Sequence, residues 1–184
     1  MTRAELTDEV VAAAAAGDSH AFGMIYTALA PAVLGYLRAR GVDDPEGLTN
    51  DVFLKLLPQI SGLRGGAEGV RRLTFTIARA RMIDDVRVRG RTGPMASYEP
   101  DMDTRVVRSA EEDAYDALAL ERVHAVLDLL PDDQREVITL RVVADLSIEQ
   151  VAEVIGRSAG AVKQLQRRGM VALRAALGER QVTR

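Results

Sequence analysis

Ile148-Glu149-Gln150-Val151-Ala152-Glu153-Val154-Ile155-Gly156-Arg157-Ser158-Ala159-Gly160-Ala161-Val162-Lys163-Gln164-Leu165 has the spacing of a helix-turn-helix. Ser147 stands just before it, and Gln150 three residues on completes a capping-box pattern. Ala152 is small where two crossing helices must approach. Gly156, four residues later, suits a left-handed turn. Ser158 is placed to cap the second helix. Val162 and Leu165 then face back toward Val151 and Ile155. The outward positions are Lys163, Gln164, Gln166, Arg167 and Arg168, long donors suited to phosphates and to base edges in the major groove. The helix start near Arg157 and Ser158 offers backbone N–H groups to a phosphate. From Arg157 to Gly178 there are five basic residues and no acid. The pattern predicts DNA binding, against the plainer reading of a three-helix bundle with a basic last helix. A helix-turn-helix alone does not say which kind of DNA-binding protein carries it.

Working upstream, Leu118, Val123, Val126, Leu127 and Leu130 recur at helical spacing over Tyr115 to Leu130, before Pro131. Asp132 or Asp133 is expected to cap the next helix, with Val137, Ile138 and Leu140 inward. Gly90 to Glu112 has no helical period and contains Gly90, Gly93, Pro94 and Pro100. From Thr92 to Ala117 seven acids oppose two arginines, whereas from Arg64 to Arg91 eight arginines oppose three acids. The net charge of −3 therefore hides two basic segments flanking an acidic one. The expected architecture is all-α. Two small helical domains, 1–91 and 115–184, are joined by a flexible acidic linker, 92–114.

In the first half, Leu6 to Arg40 reads helical. Asp18 or Ser19 acts as a cap, and Pro31 opens a further helix that ends at Gly41. Asp43 or Asp44 caps a helix carrying Leu48, Val52, Phe53, Leu56 and Leu57, and Pro58 stops it. Gln59 to Gly69 reads as a glycine-rich loop, and a long helix runs from about Val70 to Arg89.

Several classes are disfavoured. There is no cysteine, hence no disulfide, thiolate metal site or cysteine nucleophile. Asp84-Asp85 and Asp132-Asp133 are adjacent carboxylates, but neighbours on a helix point different ways. His20 and His124 lack partners at metal-ligand spacing, and Gly65-Gly66 is not followed by Lys-Ser or Lys-Thr. No enzyme activity, cofactor or metal is expected. Glu5, Asp8 and Glu9 precede the run Ala12 to Ala16, which is not the order of a signal peptide. No membrane insertion is expected, and the expected location is the cytoplasm.

Over nearly its whole length the sequence resembles the extracytoplasmic-function (ECF) sigma factor family. Asp44-Pro45-Glu46-Gly47-Leu48-Thr49-Asn50-Asp51-Val52-Phe53-Leu54-Lys55-Leu56-Leu57 is similar to the family's region 2.2 helix. Leu73-Thr74-Phe75-Thr76-Ile77-Ala78-Arg79 and Asp84-Asp85-Val86-Arg87 resemble region 2.3. Leu129-Leu130-Pro131-Asp132-Asp133-Gln134-Arg135-Glu136-Val137 resembles the opening of region 4. Gly47 and Ala80 depart from the usual acid and Asn, and Phe75 or Tyr36 must fill the space of a missing Trp.

The resemblance implies a transcription initiation factor with defined partners. Core RNA polymerase would be bound through its largest-subunit clamp helices by Leu48, Asp51, Val52, Phe53, Lys55 and Leu56, and also through its flap region. The −10 promoter element would be held by Arg64, Arg71, Arg72, Phe75, Arg79, Arg81 and Arg87, with the stretch from about Ile60 to Gly69 cradling an extruded base. The −35 element would be read by Arg157, Ser158, Lys163, Gln164, Arg167 and Arg168. An anti-sigma factor covering both domains is the further implied partner. The competing expectation is a one-component helix-turn-helix regulator that binds duplex DNA without polymerase.

Overall fold

The protein, seen in a computed structural model, is described over residues 6–92 and 125–182, with side chains over 6–87 and 125–177. Among these residues there are helices and turns and no strand. The first half contains α1 (Asp8–Ala15), α2 (Ser19–Ala39), α3 (Pro45–Leu56), a 3-10 helix (Leu57–Gly62) and α4 (Gly66–Thr92). After a helical turn at 125–127 come α5 (Asp132–Val142), α6 (Ile148–Ile155) and α7 (Ala159–Val182). The expected linker, 92–114, lies outside the described residues apart from Thr92, as does most of the expected helix ending at Leu130.

Helix starts follow local chemistry. The Asp18 carboxylate accepts from the N–H groups of His20 and Ala21 at 2.8 and 3.2 Å. Asp44 accepts from Gly47 N–H at 2.8 Å, with Pro45 in the first turn. Asp8 of α1 accepts from the N–H of Ala67 at 2.7 Å and so tethers the start of α4 to the N-terminal helix.

Three expectations need correction. Pro31 does not open a new helix, because α2 runs through it. Pro31 lacks the N–H that would bond the Thr27 carbonyl, but both residues are exposed, on the solvent side of the helix, where such a loss costs least. Neither Asp132 nor Asp133 caps α5. Pro131 takes that position without a side-chain bond, and the two acids occupy the first turn, where the helix dipole favours them. The glycine-rich loop is shorter than expected, since the 3-10 helix takes up 57–62 and α4 begins at Gly66.

By length and mean hydropathy α2 is long and apolar enough to cross a membrane. In the fold it is a core helix. Ile25, Leu29, Val33, Tyr36 and Leu37 recur at helical spacing and are fully buried. Each buried side chain of this size contributes roughly 1.5–3 kcal/mol. Tyr36 and Phe75 fill the centre, edge to face, with ring centroids 5.8 Å apart.

The two halves share this core. Val137, Leu140, Ala144, Leu146, Val151 and Val162 belong to the same hydrophobic cluster as Tyr36, Val70 and Phe75. A second cluster joins Ala39 of α2 to Leu127, Leu130 and Ile138. Helices α5 and α6 therefore pack directly against α2 and α4.

Candidate nucleic-acid and polymerase surfaces

The helix-turn-helix forms as its local signals require. Ser147 Oγ accepts from Gln150 N–H at 3.1 Å, and Gln150 Oε1 accepts from Ser147 N–H at 2.7 Å. Gly156 ends α6 at φ 68°, in the left-handed region. Ser158 Oγ accepts from Ala161 N–H at 3.2 Å, so its hydroxyl already caps α7. Val162 and Leu165 are buried, as are Val151 and Ala152 across from them. That packing fixes which face of α7 looks outward. Lys163, Gln164, Arg167 and Arg168 all lie exposed on it. Arg157 is exposed too, 3.8 Å from Asp133.

The cations of α4 stand in a different setting. Arg79 Nε donates to Glu136 Oε1 at 2.8 Å. The same oxygen accepts from the Tyr36 hydroxyl at 3.4 Å. Glu136 is the one charged side chain in the buried class among the described residues. Such a carboxylate is tolerable there because a guanidinium and a hydroxyl meet it. Burial, with the Glu136 charge beside it, holds the Tyr36 phenol proton well above its ordinary range, so Tyr36 stays a donor. Arg72 meets Glu153 of α6 at 2.5 Å. Arg71 donates to the Ala144 carbonyl at 3.3 Å, and Arg40, just after α2, to the Asp132 carbonyl at 3.1 Å.

Two further α4 arginines pair within the first half. Arg81 donates to Asp51 of α3 at 2.6 Å, and Arg87 lies 4.0 Å from Asp84. Arg64 is exposed on the short connection before α4. Phe75, expected at the DNA, is fully buried in the core instead. Between the glycine turn and the helix-turn-helix lies a cleft of about 260 Å³, lined by Gly65, Gly69, Arg72, Ser147, Glu149 and Glu153. A backbone N–H and the Ser147 hydroxyl hold the exposed Glu149 carboxyl below its usual range, so it stays ionised.

Residues 126–175 match the family model described as Sigma-70, region 4. The chain is 31% identical over 176 residues to the ECF RNA polymerase sigma factor SigD of Mycobacterium tuberculosis, covering 92% of this chain and 83% of that protein. The chain belongs to the ECF RNA polymerase sigma factor family. Its likeness to ECF RNA polymerase sigma factor BldN of Streptomyces coelicolor is 30% over 169 residues, 88% of this chain and 62% of that protein. The fold of this sigma factor is also similar to that of CnrH, solved in complex with the cytosolic domain of CnrY. There the TM-score is 0.68 and the identity 24%, covering 94% of this chain and 97% of that one. Similarity that spans both halves favours a sigma factor over a one-component regulator.

In this sigma factor, α3 shows a face that the sequence reading missed. Val52, Phe53 and Leu56, expected at the polymerase, are buried in the core, and Phe53 stacks at 4.6 Å from Tyr26. Leu48 is half-buried, Asp51 is paired with Arg81, and Lys55 is exposed. The large apolar side chains in the open are Leu54, 68% exposed, and Leu57, 51% exposed. A signal for Leu54 existed. Val52, Phe53 and Leu56 lie on one helical stripe, and Leu54 lies off it. An off-stripe leucine on an otherwise amphipathic helix has no core to enter.

Proposed function

We propose that this sigma factor directs core RNA polymerase to promoters, with a division of labour between its halves. Residues 1–91 dock on the polymerase and hold the −10 element, residues 92–114 connect, and residues 115–184 read the −35 element. The observation that carries this is the helix-turn-helix geometry within the region 4 match, with Lys163, Gln164, Arg167 and Arg168 together on the outer face of α7. Such a row suits the major groove. Arg64, Arg71, Arg72 and Arg79 supply the cations for the −10 strand. The docking face for the clamp helices is built from Leu54 and Leu57 together with Leu48 and Lys55. The flap region and an anti-sigma factor complete the partners. The work is done by binding, without a catalytic step of the chain's own, in the cytoplasm.

The test is reconstitution. The purified chain, mixed with core RNA polymerase and a library of promoter fragments, should give defined transcription start sites. A chain that does not bind core would overturn the proposal. Leu54→Asp with Leu57→Asp should weaken core binding by about tenfold or more, because two apolar anchors of roughly 1.5–3 kcal/mol each are replaced by charge. Its folding stability should change by no more than about 0.5 kcal/mol per site, since both side chains are already in water.

A further inference from the structure

We propose that Asp8 of α1 is a positioning residue for the −10 surface: its carboxylate sets the turn that carries Arg64 and the first turn of α4. This rests on the reading of Arg64 and α4 as the surface that holds the −10 strand. Gly65 stands just before α4 and Gly66 begins it, and neither has a side chain to cap with. The first N–H groups of a helix find no carbonyl partner within it. Asp8 supplies an acceptor from 59 residues away, taking the Ala67 N–H at 2.7 Å. Its negative charge also lies at the positive end of the α4 dipole. A Ser or Asp at position 65 would offer the same acceptor but would move with the turn. Asp8 sits instead in the first turn of α1, whose start is capped by Thr7 and whose Val11 is buried in the core. The anchor is therefore fixed by the core and not by the turn it holds.

The turn is shaped to receive that carboxylate. Gly65 and Gly66 both take left-handed backbone, at φ 98° and 55°. A Cβ on Gly66 would overlap the Asp8 carboxylate, and a Cβ on Gly69 would overlap the Arg64 carbonyl. The bare Cα atoms let the chain close on Asp8 from one side and on itself from the other. Asp8, Gly66 and Gly69 thus act together, and Arg64 is the exposed cation standing on the turn they hold. Arg71 and Arg72 follow within two turns on the same helix. Hydrogen bonds from a guanidinium to a strand work only over a narrow range of distance and angle. A turn released from Asp8 loses strand contacts while the core beneath it survives.

The test uses the full chain reconstituted with core RNA polymerase. Two fluorescein-labelled templates are compared, a −35 duplex with a single-stranded −10 overhang and the same duplex without it. Asp8→Ala should weaken binding of the overhang template about fivefold, the factor that loss of one helix cap corresponds to, and leave binding of the plain duplex within about twofold. Its unfolding midpoint should move by a few degrees at most, since the Asp8 side chain is exposed. Asp8→Asn keeps an acceptor oxygen at the same reach and should return overhang binding to within about twofold of the parent. Gly66→Ala should weaken overhang binding by itself. In the Asp8→Ala background its added cost should fall, because the overlap it creates is gone.

Equal losses on the two templates would make Asp8 a scaffold residue and overturn the proposal. Tighter overhang binding by Asp8→Ala would make the carboxylate a charge that repels the strand, and would overturn it as well. Purely multiplicative effects of the two substitutions would break the link between Asp8 and the glycine turn. If the parent favours the overhang template and Asp8→Ala favours it by the same factor, the positioning role alone is refuted. A parent that binds both templates equally would instead refute the assignment of the −10 strand to the first half.

Discussion

The cations of α7 and those of α4 are alike in chemistry but differ in availability. On α7, Lys163, Arg167 and Arg168 are exposed along one face. On α4, Arg72, Arg79 and Arg81 each meet a carboxylate at 2.5 to 2.8 Å. The difference lies in what packs against each helix. One face of α7 rests on α5 and α6, leaving the other to solvent, whereas α4 has α3 on one side and the acids of α5 and α6 on another. Counting arginines in a sequence measures charge that is present. Only packing says which of it is free to meet an anion.

The most severe way to break this comparison is through Phe75. The side chain is fully buried against Tyr36, so Phe75→Ala should cost about 3–5 kcal/mol of folding stability, read by urea or thermal unfolding. If stability held and only promoter opening failed, Phe75 would belong with the arginines proposed to hold the −10 strand. The contrast between a paired cationic surface and an aromatic core beneath it would then be wrong.

A smaller effect sharpens the other side. Lys163→Ala and Arg167→Ala should each lose about 1–3 kcal/mol of −35 discrimination in a duplex-binding assay, with core polymerase affinity and stability unchanged. An equal loss of core affinity would mean that α7 meets protein rather than DNA.

What the sequence disclosed follows the range of the interactions concerned. Ser147 with Gln150, Gly156, Asp18 and Asp44 act within three or four residues, and each stands where its type and spacing place it. The identity of the apolar stripes was legible for the same reason, because helical period decides it. The contacts between the two halves were not. Arg79 and Glu136 are 57 residues apart, and Arg72 and Glu153 are 81 apart. No local rule pairs them. Glu136 gave one hint, a lone acid beside the apolar Val137-Ile138. On α3 the expectation asked one apolar stripe to serve both the core and a partner. Val52 and Leu56 cannot do both in this packing, and Leu54 and Leu57 are what remains outside.

The gentlest test bears on the hinge between the two surfaces. Ser147 caps α6, the helix that carries Glu153 to Arg72 and also positions α7. Ser147→Ala removes one side-chain acceptor and leaves the Gln150 N–H without it, which costs about 0.5–2 kcal/mol. Ser147→Asp keeps an acceptor at the cap and should recover most of that loss. Both variants leave the outward side chains of α7 intact, so duplex binding should weaken only as far as the helix-turn-helix loosens. If duplex binding fell by far more than stability in both variants, Ser147 would be meeting DNA itself rather than holding the start of α6.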